Sequence, residues 1–284
     1  MIAEKGKVYL VGAGPGDTEQ LTMRAHRLIS SADCIFHDDL VSPQILLLAR
    51  SDAEIISVGK RCGRKSISQN EINAALVRAA TAGRSVVRLK SGDPLLFGRA
   101  AEELEALQAA HIPLEVAPGI SAAFAVAAAL QVSLTDRRLA SKVILLTAHR
   151  AEHSTAPIWN GALPEDATLV IYMPGSDYGR LGSELMACGL SGDLPVVIVS
   201  QIGLPGQCIL QSTLAQLFSV DTLVAPALIM VGWIFATDWH AMTRGKFLLL
   251  EGTLQNQDSV ISVKASAARV LKLGPIDMRS HDFY

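Results

Sequence analysis

Short β-branched runs alternate with segments of helical spacing through the first 130 residues. Residues 8–11, 34–37, 54–58, 85–89 and 114–116 read as strands, with amphipathic stretches between them. The runs at 8–11 and 86–89 are rich in apolar residues at consecutive positions, which marks strands covered on both faces. Strand and helix in alternation predict a parallel sheet with helices on both sides. Several helix starts are legible. Asp17 followed by Gln20 predicts a capping box, Ser42 precedes Pro43 at a first helical position, and Ser68 followed by Glu71 predicts a second box for a helix ending near Gly83.

From Lys142 the alternation restarts. Residues 143–147, 168–173, 196–200 and 228–234 predict strands, with a helix over 177–188 and a further element over 207–217. The polar run Thr135-Asp136-Arg137-Arg138 places a boundary between Leu134 and Ser141. The chain then divides into an N-terminal α/β domain over 1–136, a C-terminal α/β domain over 137–250 and a polar, weakly periodic tail over 251–284. No repeat of 20–50 residues is visible, which argues against a solenoid.

Composition narrows this picture. The 284 residues suit one large domain or two modest ones, and 50% hydrophobic with only 18% charged residues excludes a disordered chain. A net charge of −2 supplies no basic field of the kind nucleic-acid binders use. That total conceals an asymmetry. Residues 1–150 hold 18 basic and 15 acidic groups, residues 151–284 hold 7 and 12, and residues 51–100 alone hold nine basic and four acidic. An anionic ligand is expected near the stretch from Lys60 to Arg99.

The mean hydropathy of +0.32 raises the question of a membrane span. Residues 116–132 contain Pro118 and Gly119, and residues 223–236 contain Pro226, so neither gives about 20 uninterrupted apolar residues. Both read as buried elements. The N-terminus runs from 8–11 straight into a glycine loop without a signal region, so a cytoplasmic protein is expected. The cysteines, Cys34, Cys62, Cys188 and Cys208, show no CxxC and suit a reducing compartment.

Two loops and several charged groups carry candidate chemistry. Gly12-Ala13-Gly14-Pro15-Gly16-Asp17 follows a strand and resembles a dinucleotide fingerprint, with Asp38 or Asp39 about 20 residues on where a ribose-binding acid would sit. The match breaks at the third glycine. Asp17 at a helix start repels a pyrophosphate and Pro15 removes an amide donor. A tight turn without ligand, or close backbone approach to another cofactor, remain as readings. The second loop, Lys90-Ser91-Gly92-Asp93-Pro94-Leu95-Leu96-Phe97-Gly98-Arg99, lies past a strand's carboxyl end, where open α/β sheets bind ligands.

Asp38 and Asp39 close a strand and point to opposite faces, so at most one enters a given cleft. Lys60 and Arg61 also follow a strand, and Lys60 either holds an anion, donates a proton or is a surface charge. His149 and His153 have metal-ligand spacing, but no acidic or cysteine ligand accompanies them, so a loop is the better reading and no metal is expected. The helix over 120–130 is rich in small residues, with Ser121 and Ala122 at its start. It suits tight packing or the passage of a flat ligand.

Taken in order, VYLVGAGPGD, HDDLVSP, VGKRCGRKSISQNEIN, RSVVRLKSGDP, LFGRAAEE, VAPGISAA, LTAH, VIYMP and APALIMVG resemble the tetrapyrrole methylase family over about residues 7 to 235. Within it, they are most similar to the S-adenosylmethionine-dependent C-methyltransferases of uroporphyrinogen III. The resemblance implies two α/β domains, mostly parallel sheets with helices on both faces, the cofactor in the interdomain cleft, and a homodimer. It implies S-adenosylmethionine against Pro15, Ser91, Gly92, Asp93, Leu96, Ser121, Ala122, Met173, Ile202 and Ala227, with S-adenosylhomocysteine as product. Asp38 is then the proton acceptor, Lys60 a proton donor or substrate anchor, and Arg99 a substrate-binding or proton-handling group. The implied reaction converts uroporphyrinogen III through precorrin-1 to precorrin-2, feeding sirohaem and cobalamin synthesis.

The residue types suit that chemistry. A reduced tetrapyrrole offers an electron-rich, enamine-like carbon and the sulfonium already activates the methyl group, so the protein mainly positions the two. A base must then remove a proton from the ring. The substrate's carboxylates are expected to meet Lys60, Arg61, Arg64, Lys65, Arg88, Lys90, Arg99, Arg137, Arg138 and Arg150. Asp39 and Asp136 depart from the family pattern, where Arg and His are usual, and Ile202 stands where a cofactor-side glycine is usual unless Gly203 takes its place. They keep open a later corrin precursor or another anionic substrate. A nicotinamide-dependent oxidoreductase, through the first loop, and a non-catalytic cofactor-binding regulator are the readings from other classes.

Overall fold

A computed structural model describes residues 2–59, 67–149, 159 and 161–236, with strand segments at 248–249, 254–256, 259–261 and 269–272. The chain divides into two compact units, Met1–Ala125 and Val126–Tyr284.

Unit 1 is built on five parallel strands, β1 (Val8–Gly12), β2 (Cys34–His37), β3 (Glu54–Ser57), β4 (Val86–Lys90) and β5 (Leu114–Ala117), in the order β3-β2-β4-β1-β5. The apolar runs explain why helices lie on both faces. Tyr9, Val11, Ile35, Val87 and Leu89 pack with Ala25, Leu28 and Ile29 of α1 (Met23–Ile29) and Ile45 of α2 (Pro43–Leu46). The alternate residues Val8, Leu10, Cys34, Phe36 and Val86 pack with Ile72, Leu76 and Ala80 of α3 (Gln69–Thr81) and Leu107 of α4 (Ala100–Ala109). Each fully buried Leu or Ile contributes about 1.5–3 kcal/mol. Three loops at the carboxyl ends of β1, β4 and β5 are thereby brought side by side.

The caps follow the sequence with one difference. Ser68 and Glu71 form the complete reciprocal box at the start of α3, and Ser42 precedes Pro43 at the first turn of α2. Asp17 caps only a 3-10 turn, Thr18–Gln20, through Glu19 N. Leu21 is extended, and α1 begins afresh at Met23 with the Thr22 hydroxyl accepting from Ala25 N. Two successive cap residues divide what the sequence presents as one helix start. The small-residue helix is α5 (Ala122–Leu130).

Unit 2 contains β6 (Lys142–Thr147), β7 (Ala167–Tyr172), α6 (Tyr178–Ala187), β8 (Pro195–Ser200), β9 (Cys208–Thr213) and β10 (Ala227–Val231). Its sheet runs β11-β14-β9-β8-β10-β7-β6, with β11 (Leu248–Leu249) and β14 (Arg269–Lys272) contributed from beyond residue 236. The α/β class holds, but this sheet is mixed. Only β6 and β7 pair in parallel, while β7–β10, β10–β8, β8–β9, β9–β14 and β14–β11 are antiparallel. A hairpin over 201–207 joins β8 to β9, and so short a link cannot make the crossover a parallel pair requires. The element expected over 207–217 is β9 followed by a 3-10 helix, Leu214–Ser219. Strand β10 ends at Val231, and Gly232, at φ 155°, leads into a 3-10 turn, Trp233–Phe235. Within the segment expected to be a polar tail, β12 (Leu254–Asn256) and β13 (Ser259–Ile261) form a two-stranded sheet. Among the described residues, no helix is long and apolar enough to cross a membrane.

Candidate active site

The carboxyl end of the unit 1 sheet is assembled by backbone. Ala13 N donates to Lys90 O at 2.7 Å, Gly14 N to Gly92 O at 3.2 Å, and Gly92 N to Gly14 O at 2.8 Å, so the two glycine loops pair as a short bridge. The β5 loop closes on them. A Cβ on Gly119 would lie 2.2 Å from Gly92 O and 2.7 Å from Gly12 Cα, and one on Gly12 would lie 2.5 Å from Gly119. Glycine is required at both positions by close approach of backbone to backbone.

Asp93 fastens this arrangement. Its Oδ1 accepts from Leu95 N at 2.9 Å and its Oδ2 from Gly119 N at 3.0 Å. Gly92, at φ 67°, is in the left-handed region, and a Cβ there would meet only Ser121 Cα, at 3.9 Å. The structure therefore brings Pro15, Ser91, Gly92, Asp93, Ser121 and Ala122 to one end of the sheet. Ser121 and Pro15 are buried, while Ser91, Gly92, Leu96 and Ala122 are half-buried.

Asp38 follows β2 at the same end. Its amide donates to Leu89 O at 3.3 Å, and its half-exposed carboxylate accepts from Arg88 Nη2 through Oδ1. Asp39 instead packs against Gly59, whose added Cβ would fall 2.4 Å from it. Arg99 caps α4 at φ 55° and forms a bidentate pair with Glu102 at 2.7 Å for both bonds. That pair raises the guanidinium pKa further. Lys60 lies outside the described residues, as do Arg61, Arg64, Lys65, Arg150 and His153.

Two of the cations expected to meet substrate carboxylates are placed elsewhere. Arg88 and Lys90 are buried, and both bind the fully buried Glu103, Arg88 Nε at 2.9 Å and Lys90 Nζ at 2.8 Å. Lys90 has its pKa lowered by desolvation and by the neighbouring Arg88 charge. The reason is positional. Residues 88 and 90 sit on a strand covered on both faces, so their charges are answered inside the fold. Arg138 is likewise taken up by Asp136, at 2.8 Å, which leaves Asp136 as a local partner for arginine. Glu103 was missed by the reading of the sequence. Its signal is its spacing, three residues after Ala100 and four before Leu107, which puts a carboxylate in the buried stripe of α4.

Unit 2 gathers its three expected residues at one end of its own sheet. Met173 follows β7 at φ 50° and is 43% exposed. Ile202 follows β8, and Ala227 opens β10 after a cis Ala225–Pro226 bond. The register Leu228↔Tyr172 and Ala227↔Ser200 brings those strand ends together, and Gln201 N donates to Pro226 O at 2.8 Å. Among the described residues, no group of three or more His, Cys, Asp or Glu is arranged to hold a metal.

Comparison with known proteins identifies the family. The family model of the Tetrapyrrole (Corrin/Porphyrin) Methylases matches residues 7–217. The chain is 42% identical over 238 residues to a siroheme synthase of Nitrosococcus oceani, covering 83% of this chain and 51% of that one. It is 44% identical over 233 residues to a siroheme synthase of Acinetobacter baylyi, covering 81% and 51%. It thus spans about half the length of these curated relatives. Among solved structures, a uroporphyrin-III-C-methyltransferase from Thermus thermophilus superposes with a TM-score of 0.69 at 36% identity, covering 81% of this chain and 94% of that one. A structure of the Thermus thermophilus enzyme complexed with S-adenyl homocysteine gives 0.67 at 32% identity, covering 80% and 92%.

Proposed function

The chain belongs to the tetrapyrrole (corrin/porphyrin) methylases, and from that premise we propose that it methylates carbon atoms of uroporphyrinogen III, using S-adenosylmethionine, to give precorrin-2 by way of precorrin-1. The observation that carries the reading is the meeting of three glycine-packed loops with a half-exposed carboxylate, Asp38, at the carboxyl end of one parallel sheet.

The unit 1 residues fit such a cofactor. A Cβ on Gly92 would meet only Ser121 Cα, at the ordinary contact distance of 3.9 Å, and the neighbouring Ser91, Ser121 and Ala122 are small, so a ligand can approach backbone N–H and C=O groups directly. Pro15 and the Asp17 cap make the first loop a poor pyrophosphate cradle, and a sulfonium nucleoside carries no phosphate. When bound, S-adenosylmethionine supplies a methyl group on a sulfonium. The residues of unit 1 that would hold it are Ser91, Gly92, Leu96, Ser121 and Ala122. Asp93 would act there by holding the Gly119 loop in place, and Met173, Ile202 and Ala227 are the candidates on unit 2.

The protein's own groups then handle orientation and protons. Asp38 accepts the proton that leaves the methylated ring, and the electron pair of that C–H bond settles the ring double bonds. Arg99, held flat by Glu102, presents a guanidinium to a substrate carboxylate. Lys60 retains its proposed role as proton donor or substrate anchor. A homodimer in the cytoplasm, without nucleic-acid or membrane partners, completes the proposal and rests on the family resemblance and the charge distribution.

Titration calorimetry separates the cofactor readings. S-adenosylhomocysteine is expected to bind at micromolar levels and NAD not at all. Binding of NAD with none of S-adenosylhomocysteine would replace the methylase reading by that of an oxidoreductase.

A further inference from the structure

A chain of charged side chains runs from the interior of unit 1 to Asp38, and the proposed chemistry uses only its last member. Arg88 and Lys90 stand two residues apart on β4, each with its side chain 3% exposed. Glu103 of α4 is 0% exposed and accepts three hydrogen bonds, from Arg88 Nε at 2.9 Å, Lys90 Nζ at 2.8 Å and Gln69 Nε2 at 3.2 Å. Arg88 Nη1 donates to the carbonyls of Leu89 at 3.2 Å and Phe36 at 3.5 Å, and Nη2 donates to Asp38 Oδ1. Asp38, 33% exposed, is the member that reaches solvent. Two cations and two carboxylates balance.

Stability does not account for this arrangement. Removing ions from water costs several kcal/mol each, and well-packed apolar residues in place of a buried pair are often neutral or better. What the chain of contacts supplies is direction. Arg88 is held along its edge and by one terminal nitrogen, which leaves Nη2 to fix a single Asp38 oxygen. Asp38 Oδ2 has no hydrogen-bond partner among the described residues.

We propose that Glu103 and Lys90 are positioning residues for Asp38: Glu103 anchors Arg88, Arg88 fixes Asp38 Oδ1, and Lys90 offsets the Glu103 charge, so that Oδ2 is presented to the ring carbon whose proton it removes. The inference rests on the reading of Asp38 as proton acceptor. In the step concerned, a ring C–H bond breaks, its electron pair enters the ring system and the proton passes to Oδ2, with no oxidant required.

The arrangement has a signature in its signs. Glu103→Gln removes a negative charge beside Arg88, so Asp38 faces a less compensated cation and holds a proton less readily. Lys90→Met leaves Glu103 less opposed, so Asp38 holds a proton more readily. Among the described residues, the charged and titratable groups around Asp38 are Arg88 and Lys90 on β4, Glu103 on α4, and its chain neighbours His37 and Asp39, with His37 Nδ1 3.0 Å from the Asp38 carbonyl oxygen.

The test is the pH dependence of kcat for anaerobic methylation of uroporphyrinogen III in the parent, Glu103→Gln, Lys90→Met, the double variant and Asp38→Asn. We expect the acid limb to move down by about half a unit or more in Glu103→Gln and up by a similar amount in Lys90→Met. The double variant, which buries no net charge there, returns it to within about 0.3 unit. Affinity for S-adenosylhomocysteine and KM stay within two-fold, while Asp38→Asn loses at least 100-fold in kcat. Limbs that stay in place, or move in the same direction in both single variants, while Asp38→Asn is inactive, overturn the positioning role. Parental activity in Asp38→Asn would instead refute the proton-acceptor reading on which it rests.

Discussion

Replacing Gly119 by alanine tests the packing of the three loops. The new Cβ would lie 2.2 Å from Gly92 O, 2.7 Å from Gly12 Cα and 2.9 Å from Gly12 C. Reaching an ordinary contact of 3.4 Å from Gly92 O requires a separation of about 1.2 Å, the difference 3.4 − 2.2, and every close atom is backbone. Overpacking of this kind costs about 1–3 kcal/mol. The displacement also breaks the bond from Gly119 N to Asp93 Oδ2 and strains that from Gly14 N to Gly92 O, at about 1 kcal/mol each. The expected loss is therefore about 3–5 kcal/mol. In urea, with a slope of about 1–3 kcal/mol/M, the transition of unit 1 should fall by about 1 M or more. S-adenosylhomocysteine affinity, measured below that transition, should fall at least ten-fold because Gly92 and Ser121 move apart. A variant that unfolds within about 0.5 kcal/mol of the parent and binds the product normally would refute the close approach of these loops.

Two further outcomes follow from the charged groups. Arg99→Ala should leave the melting temperature within about 2 °C, because the Arg99–Glu102 pair is solvent-exposed, while lowering methyl transfer at least ten-fold with S-adenosylhomocysteine affinity unchanged; unaltered turnover would show that Arg99 does not touch substrate. Asp33 accepts from Ser85 N at 2.8 Å and from the Ser85 hydroxyl at 2.9 Å, with Lys5 at 3.2 Å, and these hold its pKa down to about 2. Because the folded value lies below the unfolded one, near 3.9, its contribution is complete above about pH 4 and disappears as pH falls through 2. Unfolding free energy should therefore drop less steeply between pH 4 and 2 in Asp33→Asn than in the parent, and parallel curves would contradict the assignment.

Much of unit 1 was legible because β1, β2 and β4 are locally apolar and buried, and because α3 carries a recognisable cap. The five runs match β1 to β5 within a residue or two at each end, and Ser68 with Glu71 marks the start of α3. Unit 2 was less legible in its pairing. Strand position depends on local composition, and β6, β7 and β8 show it, but direction depends on connection length and on partners distant in the chain. The 201–207 hairpin and the insertion of β10 between β7 and β8 therefore made a largely antiparallel sheet where alternation suggested a parallel one. The site shows the same division. The glycines and Asp93 announce themselves through turn chemistry, whereas the fate of Arg88 and Lys90 depends on Glu103, a long-range partner that composition counts as just another acid.

The central claim is methyl transfer to a reduced tetrapyrrole. Its most direct test is anaerobic incubation of the protein with uroporphyrinogen III and S-adenosylmethionine labelled in the methyl group, with mass analysis of the product. The predicted result is a tetrapyrrole carrying two labelled methyl groups, formed through a singly methylated intermediate, with release of S-adenosylhomocysteine. A protein that binds S-adenosylhomocysteine yet transfers no label to uroporphyrinogen III would contradict the proposed substrate.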